Sequence, residues 1–167
     1  MSTNIKVNIK NFFHLEVESG STLKNLAEPL NLRAPQQALA AKINGKTFDL
    51  SQEVKDNDCV EFLHFEDAEG KEIFWHSSAH ILAQAVLRIW PDALPTIGPP
   101  IEAGFYYDFA NLKISDEDFS KIESEMKKII KENLKPQREV FSEKKDALEN
   151  FATNPYKQEL INSFEEG

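Results

Sequence analysis

Two histidines four positions apart, His76 and His80, lie in the segment WHSSAHILAQAVLRIW, whose apolar residues recur at helical spacing. On a helix, side chains at i and i+4 share a face, with Cβ atoms roughly 5–6 Å apart. Both imidazoles can therefore address one water, one metal ion or one substrate. An imidazole near its unperturbed pKa moves protons at neutral pH, which makes the pair a candidate for orienting and deprotonating water. Ser77 stands where the zinc-protease motif His-Glu-x-x-His has its glutamate, so no general base is built in. Two histidines also fall short of the three protein ligands of a catalytic zinc, and no firmly bound metal is expected. A turn holding Pro95, Gly98, Pro99 and Pro100 follows, then Gly104-Phe105-Tyr106-Tyr107-Asp108. That order sets two phenols opposite two imidazoles, with Tyr106, Tyr107 and Asp108 as candidate walls of a small polar pocket.

The element that must carry the histidines is a helix from about Glu72 to Trp90, ended by Pro91. Its apolar residues cover most of the circumference and leave a narrow polar seam of His76, Ser77, His80, Gln84 and Arg88. Gln84 continues the histidine face and joins the candidate substrate contacts. A strand over Ile101–Phe109 should present the phenols. Beyond it, Ser115-x-x-Asp118 resembles a capping box before a helix with Phe119, Ile122, Met126, Ile129, Ile130 and Leu134 in register, up to Pro136. Lysines 121, 127, 128, 131 and 135 alternate with Glu123, Glu125 and Glu132, a solvated face. A strand near Glu139–Phe141, a helix over Glu143–Phe151 and a helix opening at Asn154-Pro155 complete the reading.

The first 65 residues form a different pattern. Ile5, Val7 and Ile9, then Phe13, Leu15 and Val17, alternate with polar residues around a Lys10-Asn11 turn, the period of half-buried strands. Ser21 or Thr22 can cap a short helix through Leu23, Leu26 and Ala27, interrupted at Pro29. Leu39–Ile43, Asn44-Gly45 and Lys46–Leu50 read as a hairpin with a type I′ turn, and Cys59–Leu63 as a last strand. Residues 66–71 are polar and read as a linker. Cys59, the single cysteine, precludes an internal disulfide and is expected as a buried thiol. The N-terminus lacks an apolar leader and no apolar run reaches membrane-spanning length, so a cytoplasmic protein without membrane contact is expected.

Charge weighs against a polyelectrolyte binder. The net charge is −9, with seven basic and eleven acidic residues in 1–70 and twelve and seventeen in 71–167. Phosphate-backbone binding draws on clustered Lys and Arg, so any RNA contact should be local.

Two stretches carry a resemblance. AKINGKTFDLSQEVKDNDCVEFL, residues 41–63, resembles the TGS domain, although Lys10-Asn11-Phe12 replaces the usual Pro-Asp-Gly of its first hairpin. WHSSAHILAQAVLRIWPDALPTIGPPIEAGFYYDF, residues 75–109, resembles the start of the second N-terminal domain of bacterial threonyl-tRNA synthetases, which hydrolyses mischarged seryl-tRNA. A weaker similarity runs to the editing domain of alanyl-tRNA synthetases. The resemblance implies an α+β chain: a β-grasp (TGS, ubiquitin-like) domain over 1–65, a linker over 66–71, and over 72–167 the N-terminal part of a truncated α+β editing domain.

By the same resemblance His76, His80 and Lys157 are catalytic, and Tyr107 falls at a pocket tyrosine. The implied partners are the acceptor end of tRNA(Thr) and the rest of the synthetase chain, in an enzyme expected to be a homodimer. ATP, magnesium and zinc are cofactors of that full-length enzyme, with none expected in this segment. The family's Cys-x-x-x-His segment and the class II core motifs do not occur before Gly167, so the segment is expected to hold an incomplete editing site and no threonine activation. Two other readings stand beside it: a TGS-containing binding or regulatory module without turnover, and a free-standing trans-editing hydrolase.

Overall fold

Alternation of apolar and polar residues gives Ile5, Val7 and Ile9 one face of a strand. In the computed structural model of the chain that strand, β1 (Asn4–Ile9), pairs antiparallel with β2 (His14–Glu18), from Asn4 opposite Glu18 to Asn8 opposite His14. The structure describes residues 4–11, 14–30, 37–135, 137 and 139–164. Phe12 and Phe13 of the expected hairpin, and Pro136, lie outside the described residues. Contacts divide the chain into two compact units, 1–75 and 76–167.

In the first unit, α1 (Leu23–Ala27) starts at Thr22, whose Oγ1 accepts from the Asn25 N–H at 3.3 Å while Asn25 Oδ1 accepts from the Thr22 N–H at 2.9 Å. This is a reciprocal cap with asparagine in the usual glutamate position. Next come β3 (Ala40–Ile43) and β4 (Lys46–Phe48). Asn44 and Gly45 join them with φ of 51° and 85°, the two positive values a type I′ turn requires. Strand β5 (Cys59–Leu63) runs parallel to β1 and antiparallel to β3, giving the mixed order β2-β1-β5-β3-β4. Val7, Ile9, Leu23, Leu26, Val60 and Phe62 fill the space under the sheet. Strands β1 to β5 and α1 thus make the expected β-grasp arrangement. Cys59 corrects an expectation: its thiol is free and exposed. Val60 and Phe62 are the inward residues of β5, so Cys59 shares the outward phase of Glu61.

Helix α2 (Ala68–Ile89) begins four residues before the expected Glu72. The Asp67 carboxylate accepts from the His64 N–H at 2.8 Å, and the Asp67 N–H donates to the His64 carbonyl at 3.0 Å. That closed turn lets the helix start at once. Glu69, in its first turn, accepts from Lys42 Nζ at 2.6 Å and Thr47 Oγ1 at 3.0 Å. Gly70 is therefore helical, and a Cβ there would lie 1.9 Å from the His64 carbonyl oxygen. The glycine permits a close backbone crossing.

In the second unit, Ala85 and Val86 of α2 pack with Ala93 and with Ile122 and Ile129 of α3 (Phe119–Glu132). Ser115 and Asp118 form the expected box, the Ser115 N–H donating to Asp118 Oδ2 at 3.0 Å, and it opens a 3-10 turn over Asp116–Asp118 ahead of α3. Asn133, at φ 50°, ends α3. The strand expected over Ile101–Phe109 is instead three pieces. Strand β6 (Leu94–Pro95) pairs with β9 (Phe109–Ala110), and β7 (Pro100–Ile101) with β8 (Gly104–Phe105). The chain reverses at Glu102–Ala103, and Gly104 leaves that turn at φ 144°, so a continuous strand cannot persist. Glu139–Phe141 likewise forms no strand, and Val140 is 73% exposed, with no apolar face to hold a strand there. The helices α4 (Lys144–Asn150) and α5 (Pro155–Ser163) occur where expected. Among the described residues no helix is long and apolar enough to cross a membrane.

Candidate functional site

The i, i+4 spacing on α2 brings the two imidazoles into direct contact. His80 Nε2 lies 2.9 Å from His76 Nε2, with ring centroids 4.6 Å apart and planes at 75°. A hydrogen bond between two Nε2 atoms requires one to carry the proton and the other to be bare. In the neutral pair, the ring that donates through Nε2 keeps a free acceptor at Nδ1. The accepting ring keeps a free N–H at its own Nδ1. One pair thus offers solvent both a base and an acid, from rings that share one proton between them. Both histidines are exposed, and Gln84, one turn beyond His80, is half-buried.

Partial desolvation of the ring, then His76, then the charge on Lys157 hold the His80 imidazole below its ordinary value. All three causes favour the neutral ring, which is the form able to accept a proton. The third cause makes the Lys157 ammonium one of the two charges that act on His80. Lys157 is half-buried in the first turn of α5, its N–H donating to Asn154 Oδ1 at 3.1 Å.

A histidine depressed in the fold contributes stability that is complete above its unfolded value of about 6.5. That contribution is lost as pH falls through the lower folded value. Urea unfolding should accordingly show the chain losing stability between pH 7 and 5, and His80→Gln losing less over the same interval. The carboxylates of Glu125 and Glu132, which bind Arg88 further along α2, are held below their ordinary values by Lys128 and Arg88 and titrate below that window.

The structure brings His76 and His80 into contact, with Gln84 one turn further along α2 and the charge of Lys157 acting on His80. Tyr107 stacks on Phe109, centroids 4.9 Å apart, and lines an apolar cleft of about 300 Å³ with Leu82, Val86, Ile122 and Met126. At 100° per residue Leu82 and Val86 sit about 120° round α2 from the middle of the histidine pair. Burial raises the Tyr107 phenol above its ordinary pKa, so it stays protonated. Tyr106 is 44% exposed. Asp108 contributes its backbone: its carbonyl accepts from the Thr96 N–H and Oγ1, and its N–H donates to Ile97. Arg88, the far end of the polar seam, is bound in a fork to Glu132, both contacts 2.7 Å, and at 3.3 Å to Glu125, so it ties α2 to α3. Among the described residues no third His, Cys, Asp or Glu joins the pair as a metal set.

Gly98 went unread as a site residue. A Cβ there would stand 2.2 Å from Cδ2 of Tyr107, so the phenol ring rests on the glycine. Gly98→Ala should push that ring off Phe109 and cost about 1–3 kcal/mol, the usual penalty of overpacking. Near-ultraviolet circular dichroism together with a urea melt would read both effects.

Comparison with known proteins agrees with this architecture. A family profile for the TGS domain matches residues 6–64. The chain is 62% identical over 160 residues to the threonine--tRNA ligase of Protochlamydia amoebophila, covering 96% of this chain and 25% of that protein. It is 47% identical over 151 residues to the threonine--tRNA ligase of Chlamydia felis, covering 90% and 24%. The chain matches the N-terminal, TGS-containing segment of threonine--tRNA ligases. The similarity extends beyond the chlamydial proteins: the threonine--tRNA ligase of Syntrophomonas wolfei is 41% identical over 165 residues, covering 97% and 26%. The chain spans about a quarter of the length of these relatives. The matched stretch of each runs through both units, so it includes His76, His80 and the β6–β9 region as well as the β-grasp domain.

Proposed function

We propose that residues 72–167 are the N-terminal part of an editing domain in a threonine--tRNA ligase, and that the His76–His80 pair takes part in hydrolysing mischarged seryl-tRNA(Thr). The observation that carries this reading is the 2.9 Å contact between the two Nε2 atoms on an open helix face, and the charge of Lys157 acting on His80 supports it. Ester hydrolysis needs an oriented water, a proton acceptor, a proton donor for the departing ribose oxygen and compensation of the developing oxyanion. The free Nδ1 of one imidazole can take the proton from water, and the Nδ1–H of the other can return one. The ammonium of Lys157 offers the positive charge.

The need for such a site follows from size. Serine lacks only the methyl of threonine, a difference worth about 1–3 kcal/mol in an apolar pocket, and a second site that removes the wrong product is the chemical remedy. Serving that remedy, the substrate is the acceptor end of tRNA(Thr), delivered by other parts of the ligase because this chain is net acidic. Threonine activation with ATP, magnesium and zinc, and dimerisation, belong to those other parts.

The test uses the complete ligase supplied with serine, ATP and tRNA(Thr). Seryl-tRNA should stay scarce with the native residues and accumulate with His80→Ala, while threonylation proceeds in both. No accumulation would refute the proposal. A non-catalytic binding module has no observation that favours it over this reading.

A further inference from the structure

Lys157 can serve the imidazoles only if α5, which carries it, is held in place. One side chain does this with every polar atom it has. Asn154 Oδ1 accepts from the N–H groups of Tyr156 and Lys157, both at 3.1 Å, and so caps α5. Its Nδ2 donates to the Pro95 carbonyl at 3.2 Å, across 59 positions of sequence. Pro95 belongs to β6, and β6 is hydrogen-bonded to β9, so the anchor point is itself held. Pro155 at the first helical position presets φ for the turn that Asn154 caps. The adjoining face of α5, through Tyr156, Glu159, Leu160 and Ser163, lines a separate cleft with Thr96 and Ile97, the residues that follow Pro95.

We propose that Asn154 is a positioning residue, pinning the first turn of α5 to the β6 strand so that Lys157 is presented to the His76–His80 pair. The inference rests on the role given to Lys157 above, and it assigns a new function to the amide: cap and tether at once. The two jobs separate chemically. A serine hydroxyl can accept the N–H bonds of a helix cap about as well as asparagine, but it is too short to reach the Pro95 carbonyl. Asn154→Ser therefore keeps the helix start and cuts the tether without adding charge.

The experiment is an NMR titration of the His80 ring in this chain, with native residues and with Lys157→Met, Asn154→Ser and Asn154→Ala. The groups whose charge acts on His80 are His76 and Lys157. Lys157→Met should raise the His80 midpoint, since a repelling cation is lost. Asn154→Ser should raise it by at least half as much while backbone amide shifts show α5 still helical. Asn154→Ala should do the same at a lower unfolding midpoint. A His80 midpoint that moves with Lys157→Met but stays put in Asn154→Ser overturns the proposal, as does one that Lys157→Met fails to move. Neither result depends on hydrolysis. If His80→Ala leaves seryl-tRNA scarce in the ligase but Asn154→Ser shifts the titration, the positioning stands and the editing reading falls.

Discussion

His76→Ala in the complete ligase is expected to slow hydrolysis of seryl-tRNA(Thr) by about 10²–10⁴-fold, the usual contribution of a placed acid or base. Threonylation should be unaffected. The size follows from the shared proton. With His76 gone, His80 loses the partner that fixes its tautomer through the Nε2–Nε2 bond, and the site loses either its acceptor or its donor at once. His80 should also titrate higher in the variant, because the neighbouring ring that disfavours its protonated form is gone. The pH profile of any residual hydrolysis should then move its acidic limb upward. Single-turnover assays on preformed seryl-tRNA across pH 5.5 to 8 would measure both effects. A rate and profile equal to those of the native protein would exclude the pair from the chemistry.

Gly70→Ala is expected to be the most disruptive single methyl in the first unit. The new Cβ would meet the His64 carbonyl carbon at 2.7 Å as well as its oxygen at 1.9 Å. The obstacle is backbone, and that backbone is already fixed by the Asp67 turn, so no side chain can swing aside. Gly98→Ala differs because its neighbour is a ring that can rotate. The loss at Gly70 should sit at or above the upper end of the overpacking range, about 3 kcal/mol. For a unit of this size that is a fall in unfolding midpoint of about 10 °C or more. Calorimetry of the two alanine variants should place Gly70→Ala well below Gly98→Ala. The reverse order would mean that α2 can enter by another path.

The β-grasp domain was legible because its signals are local. Alternation at Ile5, Val7 and Ile9, the Asn44-Gly45 dipeptide and the Thr22 cap each specify their own element, and their order leaves few topologies. Cys59 was misread although the signal was present: Glu61, two residues on, shows which way that phase of the strand faces. Gly70 was read as part of a linker, because composition cannot tell a glycine that ends an element from one that lets two backbones pass. The broken strand at 101–109 was missed for a related reason, its aromatic content outweighing the turn at Glu102–Ala103 that Gly104 follows.

The site was legible where chemistry is local and illegible where it is not. The i, i+4 spacing alone brings His76 and His80 into contact. Arg88 has the same spacing and an apparent place on the same seam, yet its partners, 37 and 44 residues away, take it for α3. Tyr107 lies on a short connection that the sequence could not aim. It turned to the apolar side of α2, where Phe109 and Gly98 receive its ring. Lys157 came from resemblance, and its route to His80 runs through an asparagine whose tether reaches 59 positions back.

The proposed editing chemistry depends on His76 and His80 acting as one proton-handling unit. A double-mutant cycle on seryl-tRNA(Thr) hydrolysis, with His76→Ala, His80→Ala and both together in the complete ligase, tests it most directly. Groups that act as a unit are strongly non-additive, so the double variant should be no slower than the slower single one. Losses that multiply would make the two rings independent. No loss in either single variant would remove them from the reaction.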